Sequence, residues 1–139
     1  MNELMPWSEC EKQFIRKVSV DTEKISSIIE LALERWDFVK NLKANEKNVS
    51  FIFDNYYEII KELLVALMLK QGMRSKNHQC LFTFFNKKYG YDAEINMIQQ
   101  MSYLRNRLEY YGERVGYNYY KENYKSFERI IQLILKLLK

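Results

Sequence analysis

The stretch SFIFDNYYEIIKELLVALMLKQ, residues 50–71, decides the fold, because it predicts one long helix that is apolar on most of its surface. Apolar residues recur there at steps of three and four, the spacing of one helix face: Ile52, Tyr56, Ile59, Ile60, Leu63, Leu64, Leu67 and Met68. The stripe is widened by Val65, Ala66 and Leu69, so we expect burial on more than one side. Gly72 follows, as a glycine often does after a helix.

Five further segments show helical spacing. They are a short helix at 8–18 with a capping box at Ser8 and Glu11, a helix at 22–42 capped by Asp21 or Thr22, a shorter helix from 75–78 to about 89, a helix at 92–111 capped by Asp92, and a helix from 119 to the end. No segment alternates with period two for long enough to predict a sheet.

The connections between these segments are short, which places neighbouring helices antiparallel. We therefore predict an all-α fold, an antiparallel up-and-down bundle of four main helices plus one or two short helices. The 139 residues form a single domain, with residues 1–20 as a short N-terminal helical extension. A hydrophobic content of 47% is enough for one packed core.

Net charge and cysteine content narrow the functional classes to which the protein can belong. The formal net charge of +4 allows an anion-binding patch but does not require nucleic acid. Cys10 and Cys80 form no CxxC pair, and with a single histidine in the chain they predict neither a zinc site nor another cofactor. We see no signal-peptide pattern and no run of about 18 apolar residues. The expected location is the reducing cytoplasm, without membrane contact.

Residues 103–112, YLRNRLEYYG, concentrate polar groups at the end of an apolar helix. Asparagine is a poor helix former, and the two arginines beside Asn106 repel each other unless an anion or an acid lies nearby. Two interpretations stay open. Arg105 and Arg107 bind an anionic ligand, or Arg105 pairs with Glu109 on a solvated face, which is worth about 0.3–0.5 kcal/mol.

A second polar region spans residues 63–91, which contain no acidic residue. The basic residues of this window are Lys70, Arg74, Lys76, His78, Lys87 and Lys88. The same window also contains three phenylalanines and two tyrosines, Phe82, Phe84, Phe85, Tyr89 and Tyr91. Such a mixture can hold phosphates and stack bases. The alternative is a solvated loop above a phenylalanine core. His78 is expected to be a cap or packing residue, or a member of a pocket.

Tyrosines are unevenly distributed along the chain. Seven of the eleven lie at residues 103–124. Because tyrosine buries a large ring and keeps a hydroxyl at the rim, this concentration fits an interface or a pocket wall. Half-buried packing at helix ends is the alternative.

Three segments in this order resemble the HEPN superfamily of small all-helical prokaryotic proteins, especially its archaeal stand-alone members. They are NYYEIIKELL at 55–64, GMRSKNHQCL at 72–81 and LRNRLEYYG at 104–112. The resemblance implies a bundle of four or five helices that dimerises through the helices carrying Arg105 and Asn106. It also implies a role in RNA cleavage, toxin–antitoxin pairs or defence, often beside a minimal nucleotidyltransferase.

In active members of that superfamily, an Arg-x(4–6)-His motif cleaves RNA without a metal. The histidine helps the ribose 2′-hydroxyl to attack, and the arginine stabilises charge on phosphorus. Arg105 and Asn106 match the start of the motif, but the histidine window holds Tyr110, Tyr111 and Gly112. Tyrosine, with a pKa near ~10, is a poor base at neutral pH, so we expect weak or absent endoribonuclease activity.

Two functions are therefore predicted as alternatives. The first is an RNA- or nucleotide-binding homodimer in which Arg105, Asn106 and Tyr110 line a cleft at the dimer interface. The further binding residues of this hypothesis are Arg107, Tyr111, Arg74, Lys76 and His78. The second is a non-catalytic interaction module that docks a minimal nucleotidyltransferase. Arg105 side chains that converge in an open positive groove favour the first function, and pairing of Arg105 with acids favours the second.

Overall fold

The computed structural model describes residues 3–139. These residues form six helices and one two-stranded sheet. In chain order the elements are α1 (Trp7–Gln13), β1 (Ile15–Lys17), α2 (Thr22–Lys40), α3 (Val49–Lys70), β2 (Met73–Ser75), α4 (His78–Tyr89), α5 (Asp92–Tyr111) and α6 (Tyr117–Leu137). The predicted all-α bundle is confirmed, with α2, α3, α5 and α6 as its four long helices.

Helix α3 lies at the centre, where it packs against α2, α4, α5 and α6. All eight residues of the predicted apolar stripe are buried, and so are Ala66 and Leu69. A helix with neighbours on several sides needs apolar residues around most of its circumference. The polar residues of α3, such as Asp54, Glu58 and Lys61, are half-buried. They are therefore held close to the neighbouring helices.

Side-chain caps and one glycine set several helix boundaries. Asp21 caps α2 as predicted, because its carboxylate accepts a hydrogen bond from the Lys24 backbone N–H at 3.1 Å. Asn77 caps α4 in the same way, accepting from the Cys80 N–H at 3.2 Å. Asp92 is the first residue of α5 and not its cap. Gly112 ends α5 in the left-handed conformation, with φ of 66°.

The N-terminal segment differs from the prediction. Helix α1 begins directly after Pro6 and ends at Gln13, so the predicted capping box at Ser8 and the extension of this helix to residue 18 are wrong. Strands β1 and β2 pair antiparallel, with Ile15 opposite Ser75 and Lys17 opposite Met73. Each strand has only three residues, which is too short for alternation to be visible in the sequence.

A disulfide joins Cys10 of α1 to Cys80 of α4 across 70 residues of sequence, with the two Cα atoms 5.6 Å apart. Both cysteines are fully buried. Disulfides are rare in the reducing cytosol, so this bond does not favour the expected environment. A cytoplasmic location stays a prediction. In residues 3–139, no helix has the length and apolarity needed to cross a bilayer.

Candidate functional site

A cavity of about 370 Å³ opens between α2, α3 and the turn that joins β2 to α4. We call it the basic pocket, because it is lined by Lys24, Lys61, Arg74, Lys76 and His78. Its apolar lining comes from Ile28, Val65, Leu69 and Leu81, and no described residue of the lining is acidic. The pocket thus combines a positive rim with an apolar wall.

Three of the cations in this pocket have no carboxylate partner. Among the described residues, Lys24, Arg74 and Lys76 form no ion pair, whereas the Lys61 Nζ lies 2.8 Å from Glu58 Oε2. Cations that line one concave surface raise the local positive potential and attract anions. Arg74 and Lys76 are also exposed, so an anionic ligand can reach them.

His78 connects this pocket to Arg105. The His78 Nδ1 lies 3.0 Å from the hydroxyl of Tyr57, and that hydroxyl lies 3.4 Å from Ser102 Oγ. The guanidinium carbon of Arg105 lies 5.7 Å from the centroid of the Tyr57 ring. The basic window of residues 63–91 therefore meets the Arg105 region through the buried side chain of Tyr57.

Arg105 itself faces carboxylates of α3. Its Nε lies 3.6 Å from Asp54 Oδ1, and its Nη2 lies 3.7 Å from Glu58 Oε1. The Nε and Oδ1 atoms are buried and form no hydrogen bond, so the attraction acts through space. Glu109, the alternative partner that the sequence offered for Arg105, forms no ion pair with it in the described chain. The packing of α5 on α3 instead places Asp54 and Glu58 within 4 Å of the Arg105 guanidinium group.

These neighbours shift two pKa values in the cluster. Burial, and next the negative charge of Glu109, raises the pKa of Asp54, although Arg105 opposes the shift. Burial, and next the positive charges of Lys61 and Arg105, lowers the pKa of His78. His78 is therefore neutral at pH 7. A neutral imidazole keeps one nitrogen as donor and the other as acceptor, one of them engaged with Tyr57.

The lowered pKa of His78 makes the fold sensitive to mild acid. Because the folded pKa lies below the unfolded value of 6.5, the unfolded state takes up the proton first, and stability falls as the pH drops from about 6.5 to the folded pKa. We expect His78→Gln to lose less stability than the wild type between about pH 7.5 and pH 5, measured by urea unfolding. Equal losses in the two proteins would contradict this assignment.

The other predicted residues of α5 lie on a different face of the helix. We call it the tyrosine face, and its exposed members are Tyr103, Asn106, Tyr110 and Tyr111. Arg107 forms a bidentate ion pair with Glu113, in which its Nε and Nη2 donate to the two carboxylate oxygens. Its guanidinium carbon lies 4.4 Å from the centroid of the Tyr111 ring. Within one chain, the structure does not bring Arg105 together with Asn106 or Tyr110.

Two residues of the basic pocket were not predicted as site residues. Lys24 lies on α2 and Lys61 on α3, both outside the acid-free window of residues 63–91. Lys61 is four positions after Tyr57 and shares its helix face, but Tyr57 was itself not predicted as a site residue, so this spacing gave no signal. No signal pointed to Lys24, whose place in the pocket depends on how α2 packs.

Comparison with known proteins identifies no relative of this chain. No protein-family model, no curated protein and no solved structure matches it. The resemblance to the HEPN superfamily therefore stays a prediction from residues 55–64, 72–81 and 104–112.

Proposed function

We propose that the protein binds RNA or a nucleotide through the basic pocket. The observation that carries this proposal is a set of three cations, Lys24, Arg74 and Lys76, that have no ion-pair partner within residues 3–139 and surround an apolar lining with no acid among the described residues. Phosphate groups supply the negative charge that such cations attract. The apolar lining suits the faces of a base or a sugar, and about 370 Å³ lies in the usual range for small-ligand sites.

Arg105 has a supporting role in this proposal. Its charge is largely offset by Asp54 and Glu58, so it is less available to a phosphate than the cations of the pocket. By lying over the Tyr57 ring, it stabilises the side chain that positions His78. Tyr110 lies on the tyrosine face, away from Arg105. A proton transfer shared by these two residues is therefore not supported within one chain, and weak or absent cleavage remains our expectation.

The alternative function is a non-catalytic interaction module, and two observations favour it. Arg105 is paired with acids, and the tyrosine face exposes 61% of Tyr103 and 74% of Tyr110. Exposed tyrosines are common at protein interfaces. The partner in this proposal is a second copy of the chain or a minimal nucleotidyltransferase, as the HEPN resemblance implies. The tyrosine face and the basic pocket are separate surfaces, so the two functions are compatible.

Reversal of two pocket charges tests the binding function. We expect Arg74→Glu/Lys76→Glu to weaken binding of a labelled single-stranded RNA of about ten nucleotides by about tenfold or more. The number of counterions released on binding, which is read from the slope of log affinity against log salt concentration, should also fall by about two. Each cation that is lost no longer displaces a counterion from the RNA. Fluorescence anisotropy across a range of salt concentrations measures both quantities.

The matched control is Arg129→Glu/Lys136→Glu, which changes the same amount of charge at exposed positions of α6. This control should retain most of the RNA affinity. If the wild type does not bind RNA, or if both double variants lose affinity equally, the pocket is not the binding site. The interaction module would then be the better account.

A further inference from the structure

A second basic surface lies at the opposite end of α2 and shares no residue with the basic pocket. It is a groove of about 560 Å³ between the last turn of α2, the loop that follows it and the first turns of α6. We call it the lysine–tyrosine groove, because its lining includes Lys40, Lys43, Lys121, Lys125, Tyr56, Tyr117, Tyr120 and Tyr124. Glu128 is the single acid in the described lining.

The lysines of this groove lack ion-pair partners in the described part of the chain. In residues 3–139, none of the four forms an ion pair. Two of them lie beside aromatic rings instead: the Lys40 Nζ is 4.9 Å from the Trp36 ring centroid, and the Lys121 Nζ is 5.6 Å from that of Tyr117. The groove therefore presents positive charge and flat aromatic surface side by side.

The tyrosine rings form an ordered wall. Tyr120 and Tyr124 are stacked, with ring centroids 5.5 Å apart and planes 21° apart, and Tyr120 also contacts Tyr56. Tyr56 and Tyr120 are buried, while Tyr117 and Tyr124 are half-buried and reachable. Burial raises the pKa of Tyr56 and of Tyr120, so their hydroxyls stay neutral and do not offset the lysines.

We propose that the lysine–tyrosine groove is a second binding site for single-stranded nucleic acid. The lysines contact phosphates, and Tyr117 and Tyr124 stack on bases, which every base permits because each has a π-face. An acidic peptide would use the lysines but not the rings. A membrane surface would need a protruding apolar face and not a concave groove. Charge and ring surface together therefore favour a nucleic-acid strand.

The two sites are well separated. Lys24 of the basic pocket and Lys40 of the groove are 16 residues apart on α2 (40 minus 24), which corresponds to about 24 Å along the helix axis. Because they also lie on different flanks of α2, a ligand in one site does not occupy the other. This proposal goes beyond the function assigned to the basic pocket, and each site can be tested alone.

Charge reversal in the groove is the first test. Because the basic pocket still binds RNA, the background for this test is the Arg74→Glu/Lys76→Glu protein. Adding Lys121→Glu/Lys125→Glu to it should weaken the remaining binding of single-stranded RNA by about tenfold and lower the number of counterions released by about two more. The control Lys12→Glu/Lys136→Glu carries the same charge change on exposed residues outside the groove and should keep its affinity. Unchanged affinity in the groove variant would overturn this inference. If Arg74→Glu/Lys76→Glu still lost affinity, the proposed function would survive.

A local reporter gives the second test. Trp7→Phe leaves Trp36, beside Lys40, as the single tryptophan, and we expect its fluorescence to change when RNA binds. Adding Lys121→Glu/Lys125→Glu to this protein should remove the change. A fluorescence change that persists in the groove variant would contradict the proposal. Displacement of the RNA by poly-glutamate at equal charge concentration would also contradict it, because the rings would then contribute nothing.

Discussion

Replacement of both Cys10 and Cys80 by serine should lower the free energy of unfolding by about 4 kcal/mol. The disulfide closes a loop that spans 70 residues, so its loss allows many more conformations in the unfolded chain. It also ties the short helix α1 to the first turn of α4. A helix of seven residues is not stable by itself, so α1 depends on the disulfide and on its other contacts with α4, such as that between the rings of Trp7 and Phe84.

Urea unfolding with and without a dithiol reductant measures this effect. The reductant should destabilise the wild type by about as much as the double replacement does, and it should not change the stability of the serine variant. Two free thiols in the native, unreduced protein would show that the bond does not form. Wild-type stability in the serine variant would show that the bond contributes nothing.

Replacement of Phe127 by alanine should lower the free energy of unfolding by about 3–5 kcal/mol. Phe127 of α6 is fully buried, and its ring contacts those of Phe53 and Tyr56, each with ring centroids 5.8 Å apart. The rings of Tyr119 and Tyr120 lie slightly further away, at 6.4 Å. Alanine would leave a cavity where α6 packs on α3, and it would remove all of these ring contacts.

The chain offers a matched control for this substitution. Phe51 of α3 is 69% exposed, so Phe51→Ala should change stability by no more than about 0.5 kcal/mol. Thermal unfolding followed by circular dichroism compares the two variants with the wild type. Similar losses in both variants would mean that the core is not centred on the contact between α3 and α6.

Local sequence patterns were sufficient to predict the helices. Helical periodicity needs only residues within a few turns of one another, so the stripe of residues 52–68 predicted a helix buried on more than one side before any packing was known. The cap of α2 was predicted at Asp21 or Thr22 for the same reason, and Asp21 is the residue that caps the helix. The short strands were missed, because three residues carry no usable period.

Contacts between distant segments were not predictable in this way. The pairing of Cys10 with Cys80 depends on α1 packing beside α4, and no local pattern indicates it. For Arg105, the sequence left open an anionic ligand or a pair with Glu109 of its own helix, and its partners in the structure are Asp54 and Glu58 of α3. Side-chain partners across a helix interface depend on the rotation of both helices, which periodicity fixes only approximately.

Arg74, Lys76 and His78, three of the predicted binding residues, lie around one cavity, whereas the phenylalanines and tyrosines of the same window are not part of its lining. Ligand binding by these three residues stays a prediction. Arg105, Asn106 and Tyr110 were predicted as one cleft, and a single chain places Arg105 on a different face from the other two. A homodimer that reunites them stays a prediction.

The ring protons of His78 provide the most direct test of the basic pocket. His78 is the single histidine of the chain, so its imidazole resonances are unambiguous in a proton NMR spectrum. During titration with a short single-stranded RNA, these resonances should shift and reach saturation together with the binding curve from anisotropy. His78 resonances that stay in place while the RNA saturates the protein would contradict binding in the pocket.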